Sequence, residues 1–183
     1  YFFFFFTDYK LIIDFLAGMQ ELGNHLPKYL FPVSSREKYL KLVSVITAKN
    51  NSLAKKLDRQ INRIIASAKD WEENSFVHGD FHPQNIFIHD QGIKIIDWES
   101  AHYNLMPFDY SFVWIRSYNP KVRKEILDIL KKTDVAEDQI NFVFSVNILR
   151  DLFECYLIES GKNEFVNVRM KLSEQTHLHC QCH

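Results

Sequence analysis

Glycine is scarce in this chain: five among 183 residues, at positions 18, 23, 79, 92 and 161. No two are spaced Gly-x-Gly, so the chain has no glycine-rich loop of the kind that cradles phosphates at a helix N-terminus. Neither sign of charge is in excess, with 22 basic and 23 acidic residues and a formal net charge of -1. That balance argues against nucleic acid as a partner, because nucleic-acid binders concentrate lysine and arginine on one face. Cysteine is limited to Cys155, Cys180 and Cys182. An odd and irregular set is no disulfide framework, and it suits a reducing, cytoplasmic compartment. No apolar run reaches the roughly 20 residues of a membrane span. Phe2–Phe6 begins one, but Asp8, Lys10 and Asp14 interrupt it early. The basic leader and small-residue cleavage site of a signal peptide are lacking as well. This aromatic run reads as a buried strand or linker edge, and no membrane partner is expected.

Apolar side chains, by contrast, are abundant. Hydrophobic residues make up 46% of the chain, with 16 Phe and 8 Tyr, enough for one domain with a substantial core. Apolar residues at Leu11, Ile12, Phe15, Leu16, Met19 and Leu22 have helical spacing over about 9–22. A loop with Pro27, Pro32 and two serines follows. A second helical pattern runs through Leu53, Leu57, Ile61, Ile64, Ile65 and Ala68, its charged residues forming a solvated face. After Trp71 the period changes, and Ser75–Val77 reads as a short strand. Asn119 before Pro120 predicts an N-cap and a helix with Val122, Ile126, Ile129 and Leu130 inward. A last helix is expected from near Asp134, with Glu137 as its capping-box partner, to Ser160 before Gly161. The fold class is therefore α+β, mainly helical, with a compact β insert. The domain spans 1–165, and 166–183 is a polar tail.

The β insert carries the chemistry. Asn85–His89 and Ile93–Asp97 are β-branched and aromatic runs separated by Asp90, Gln91 and Gly92, a hairpin signal. Antiparallel strands bring their outer ends side by side. Asn85 and Asp97 should therefore meet at the open end, with Asp80 on the loop leading into it. Two carboxylates and an amide oxygen form a hard-oxygen set that suits Mg²⁺, which takes one or two carboxylates together with water and substrate phosphates. Phosphoryl transfer needs such a metal site and a further carboxylate to orient and deprotonate the attacking hydroxyl.

His78-Gly79-Asp80, then Asn85, then a hairpin ending Ile96-Asp97-Trp98-Glu99, resembles the signature of the aminoglycoside phosphotransferase and choline kinase-like family. These enzymes share the protein-kinase plan, in which a loop Asp is the base and an Asn five residues later holds metal. The resemblance implies the C-terminal lobe of a protein-kinase-like fold and an ATP- and Mg²⁺-dependent transfer to a hydroxyl of a small molecule. It makes Asp80 the catalytic base and His78 a buttress of its loop. Asn85 and Asp97 become the ligands of the Mg²⁺ that accompanies the nucleotide. His82, with Pro83, fits the family's loop, and Asp109 matches the acid that ties that loop down. Glu99 stands where relatives sometimes carry an acid.

The family's ATP-gripping lobe is not visible before His78: the preceding 77 residues read as helical, with no Val-Ala-Ile-Lys-like strand. The expectation is that Tyr1 lies near the hinge, that an N-terminal lobe is missing, and that the isolated chain is feeble or inactive. A kinase-fold remnant acting as a binding module is the alternative. A zinc hydrolase is a second rival, since His78, Asp80 and His82, with His89 and His102 nearby, have ligand-like spacing. For the acceptor, Asp151, Glu154 and Glu159 on the last helix could hold a cation, with Trp114, Tyr110 and Tyr118 as an aromatic wall. A solvated helix face and core aromatics explain the same residues more simply. The terminal His177 to His183, with Cys180 and Cys182, reads as a frayed tail rather than a soft-metal site, and Cys155 as a core thiol.

Overall fold

Helix α1, Tyr9–Gly23, forms where the apolar spacing predicts it. Tyr9, Ile12, Ile13, Leu16 and Met19 are buried, while Leu11 and Leu22 face outward. The computed structural model describes residues 9–33, 36–49, 55, 58–69 and 71–158. The Phe2–Phe6 run, Leu53 and Leu57, Glu159, Ser160, Gly161, the 165/166 boundary and the terminal His/Cys tail lie outside them, as do the side chains of Glu154 and Cys155.

Two compact units divide the described residues: those within 1–35 and 71–140, and those within 36–70 and 141–183. In the first unit, α1 leads to a 3-10 turn at Lys28–Leu30 and then to the β region. Strand β1, Ser75–Val77, pairs antiparallel with β4, His102–Asn104, in the register Phe76↔Tyr103. Between them the chain makes the hairpin of β2, Ile86–His89, and β3, Gly92–Ile95. Its register, Ile86↔Ile95 and His89↔Gly92, leaves a two-residue turn at Asp90 and Gln91. Both strands are shorter than their sequence suggests: Asn85 closes a 3-10 turn, and Asp97 leaves the ladder with φ 63°.

Helix α4, Phe108–Arg116, has every residue but Arg116 buried. A helix buried all round has no amphipathic pattern, so periodicity does not announce it. Helix α5, Pro120–Leu130, begins as expected, with the Asn119 side chain accepting the Lys121 N–H at 3.0 Å and Val122, Ile126 and Leu130 fully buried.

The second unit holds α2, Arg36–Lys49, and α3, Asp58–Ser67. Tyr39 of α2 meets Phe142 edge to face at 5.6 Å. Helix α2 was not expected, because its run of Val43, Val45, Ile46 and Thr47 is β-branched and disfavours a helical assignment. Helix α6, Glu137–Ile158, starts three residues later than Asp134. Turns after α5, in which Lys131, Lys132 and Thr133 donate back to Leu127, Ile129 and Leu130, consume the intervening chain. The first carbonyl of α6 to accept is that of Ala136. No described helix is long and apolar enough to cross a membrane.

The end of α1 is fixed from below. Tyr103, fully buried on β4, directs its hydroxyl at the carbonyls of Gly23 and Leu26, 2.8 and 3.0 Å away. Gly23 closes against β1 so tightly that a Cβ there would collide with that of Phe76 and stand 3.2 Å from its backbone nitrogen. Gly23→Ala should lower stability by about 1–3 kcal/mol, the usual range for overpacking. Urea unfolding followed by far-ultraviolet circular dichroism tests this, and an unchanged midpoint would show that α1 can shift away from β1.

Candidate active site

The loop between β1 and β2 owes its shape to one carboxylate. Asp109, in the first turn of α4 and 1% exposed, accepts the backbone N–H of His78 at 2.6 Å and of Gly79 at 3.1 Å. Burial pushes its carboxyl up to about 7, as does the nearby charge of Asp80, while the two N–H bonds pull the other way. Gly79 turns the loop with φ 83°, where a side chain would strike the Ser100 carbonyl oxygen. Only glycine adopts such a φ without strain while leaving that space open.

His78 is buried beneath the loop. Its Nδ1 accepts the Asp80 N–H at 3.3 Å, so Nε2 carries the proton and donates to the Ile96 carbonyl at 2.9 Å. Burial lowers the imidazole's pKa, outweighing the Ile96 bond and the charges of Asp80 and Asp97, which raise it. The ring is therefore neutral at neutral pH, and it ties the loop to the end of β3. Trp98 meets its edge at 4.8 Å and Phe81 at 5.9 Å. Phe15 in turn stacks on Phe81, and Phe76 on Trp98.

Asp80 is half-buried, its side chain 34% exposed. His82 accepts the Gln84 N–H at Nδ1, so its Nε2 carries the proton that faces Asp80 Oδ2 at 3.3 Å. The Asn85 amide donates to the Asp80 carbonyl at 3.0 Å and lies 3.4 Å from Asp80 Oδ2. Asn85 is buried, and its Oδ1 makes no hydrogen bond among the described residues. At the strand ends the Ile96 N–H donates to the Asn85 carbonyl at 3.0 Å, which sets Asp97 directly after the last bond of the hairpin. Asp97 itself is exposed, in the left-handed region that aspartate tolerates better than most residues.

Asp80, His82, Asn85 and His78 are thus brought together, with Asp97 at the adjoining strand end and Asp109 beneath. The donor set of an amide oxygen without a bond and two accessible carboxylates suits Mg²⁺ completed by water and phosphate oxygens. Glu99 is exposed in the 3-10 turn Trp98–Ser100. The zinc reading is not supported: both His78 nitrogens are engaged by backbone, and no three His, Cys, Asp or Glu side chains among the described residues could share a metal ion. Nor do Trp114 and Tyr110 form an open wall, since each is 2% exposed. They are core residues, and burial pushes the Tyr110 hydroxyl up to about 12. Tyr118 is exposed, and Asp151 is buried in the second unit. The spacing of the sequence offers His102 only as a zinc ligand and gives no role to Asn104, although His102 lies against the loop at Gly79 and Asn104 donates to it. Their signal is the short strand they share, too brief to register by periodicity.

Solved structures with the same fold include a macrolide 2'-phosphotransferase type I at 12% identity and a TM-score of 0.53. A mutant aminoglycoside 2'-phosphotransferase-IIIa in complex with GDP follows at 13% and 0.58, and APH(2")-IIia with GDP and kanamycin at 14% and 0.60. The alignments cover 88%, 94% and 94% of this chain but 57%, 62% and 63% of those chains, so the chain spans under two thirds of their length. Among curated protein sequences none matches. The profile of the Phosphotransferase enzyme family matches residues 7–138, a stretch that contains the whole constellation from His78 to Asp109, and the chain belongs to that family.

Proposed function

We propose that this chain carries the catalytic side of an ATP-dependent phosphotransferase that acts on a hydroxyl of a small molecule. The observation that carries the reading is the disposition of Asn85. Its amide nitrogen is bonded back to the loop of Asp80, while its oxygen is left without a hydrogen bond at the strand end that delivers Asp97.

Asn85 and Asp97 would hold Mg²⁺, which, when bound, neutralises charge on the phosphates during transfer. Asp80 is the base. Its Oδ2 receives the His82 N–H, and its Oδ1, without a hydrogen bond among the described residues, takes the proton of the acceptor hydroxyl. His78 and Asp109 touch no substrate in this scheme. They hold the backbone of residues 78–80 so that the carboxylate does not have to be ordered at the moment of reaction. Phe87 and its cross-strand partner Lys94 are exposed on the hairpin, with Ile96 exposed just beyond. An apolar surface with one cation suits the base of a nucleotide whose phosphates reach Asn85. The antibiotic phosphotransferases of the same fold support a polyhydroxylated acceptor.

In the intact protein, Asp80→Asn should cut phosphoryl transfer, followed by phosphorus NMR over a panel of hydroxylated acceptors with ATP and GTP, by about a hundred- to ten-thousandfold. Nucleotide binding measured by calorimetry should remain. Transfer surviving in that variant would remove Asp80 from the role of base.

The Asp109 anchor predicts a pH dependence. Its carboxyl rises from 3.8 to about 7 on folding, so the native state binds a proton that the unfolded state has lost across that window. The stability it contributes is full below the unfolded value and is lost as pH rises through about 7. Asp109→Asn cannot titrate and sets an amide N–H against one of the two loop donors. Its urea midpoints, measured from pH 4.5 to 8, should lie below those of the parent and lack this downward slope. Parallel profiles for the two proteins would show that Asp109 does not take up the proton.

A further inference from the structure

His102 lies outside the constellation that the phosphotransferase reading uses, yet it borders three of the segments that build it. Its Nδ1 is 2.7 Å from the Ser100 carbonyl, and since a carbonyl only accepts, Nδ1 carries the proton. Nε2 is then the acceptor, and the Asn104 amide donates to it at 2.8 Å. Asn104 is fully buried and is fixed in turn by the Leu105 N–H, which donates to its Oδ1 at 2.7 Å. This chain of bonds sets both the tautomer and the orientation of the ring. A Cβ placed on Gly79 would stand 2.8 Å from Nδ1 and 2.9 Å from Cε1, so the ring edge lies directly against the base-bearing loop. On its other side the ring meets Phe108, the neighbour of Asp109, edge to face at 5.5 Å.

Ser100 is the last residue of the 3-10 turn that Asp97 opens. Asp97 occupies a left-handed conformation, unfavourable for a residue with a side chain and kept where the surroundings support it. Trp98 holds the turn near its start, donating from its indole N–H to the Ile95 carbonyl at 3.0 Å. His102 holds it at its end.

We propose that His102 is a positioning residue for the metal-holding turn: through the Ser100 carbonyl it fixes Asp97 relative to the Asp80 loop. The inference rests on the reading of Asn85 and Asp97 as metal ligands and extends it to a residue that need not touch the metal. Supporting groups of this kind typically tune metal affinity rather than create it.

Two variants separate the hydrogen bond from the packing. His102→Phe keeps a ring against Gly79 and Phe108 but loses the N–H. His102→Asn gives up the ring but can place an amide N–H where Nδ1–H stands. Mn²⁺ binding by the intact protein, with a non-hydrolysable ATP analogue present, is counted by electron paramagnetic resonance above the amount that the analogue holds alone. The Phe variant should bind Mn²⁺ about ten- to a hundredfold more weakly than the parent, and the Asn variant within about threefold of it. Parent-like binding by the Phe variant, or Phe-like weakness in the Asn variant, overturns the proposal. Should the Phe variant not fold, the Asn variant alone decides. If the parent binds no Mn²⁺ in the presence of nucleotide, the phosphotransferase reading itself falls, and the role of His102 with it.

Discussion

Two backbone N–H groups ending on one buried carboxylate hold the candidate site of the first unit together. His78 and Gly79 donate to Asp109 across thirty-one and thirty residues of sequence. A loop that must present Asp80 to solvent cannot bury itself for support, and its donors need partners that the strands on either side no longer supply. Asp109 provides both from the first turn of a helix whose other residues are almost all core. The loop is thereby tied to that helix, although the Asp80 side chain it carries stays partly open to solvent. The aromatic bed of Phe15, Phe76, Phe81 and Trp98 adds packing to what Asp109 supplies by hydrogen bonds. Between them the neutral His78 bonds to Asp80 N–H on one side and to the end of β3 on the other, so that one imidazole joins the two strands of chemistry.

Much of the site was legible in the sequence because its residues are close together along the chain. His78, Asp80, His82, Asn85 and Asp97 fall within twenty residues, and the hairpin between them follows from β-branched runs and a short polar turn. The link to Asp109 came only from family resemblance, since nothing local in Pro107-Phe108-Asp109-Tyr110 reveals that its carboxylate points back thirty residues. The left-handed backbone at Asp97 was not legible either. A strand that ends in aspartate can simply stop, and the turn that follows depends on bonds made by Trp98 and His102.

The helices divide along similar lines. Helices α1 and α5 carry strong local signals, an apolar stripe in one and an Asn-Pro cap in the other. Helix α4 is buried on every side but Arg116, and α2 is rich in β-branched residues, so neither has the local pattern that announces a helix. Strand β4 is three residues long and acquires its identity by pairing with β1 and, at Tyr103, with the Pro32–Val33 segment. The aromatics proposed as an acceptor wall belong to the same class: Tyr110 and Trp114 sit on the helix that periodicity could not see, and both are core.

The stacking that supports the loop also gives it an optical voice. Trp98 lies parallel to Phe76, 6.3 Å away and tilted by only 7°, with the edge of the His78 imidazole 4.8 Å from its own ring. An indole so placed is sensitive in its emission to the charge and orientation of its neighbours. Only Trp71 and Trp114 compete with it for excitation, and Trp114 is shut inside the core. Changes at the His78–Asp80 loop that reach Trp98 are thereby written into the intrinsic fluorescence of the protein, where they can be followed in real time without any label.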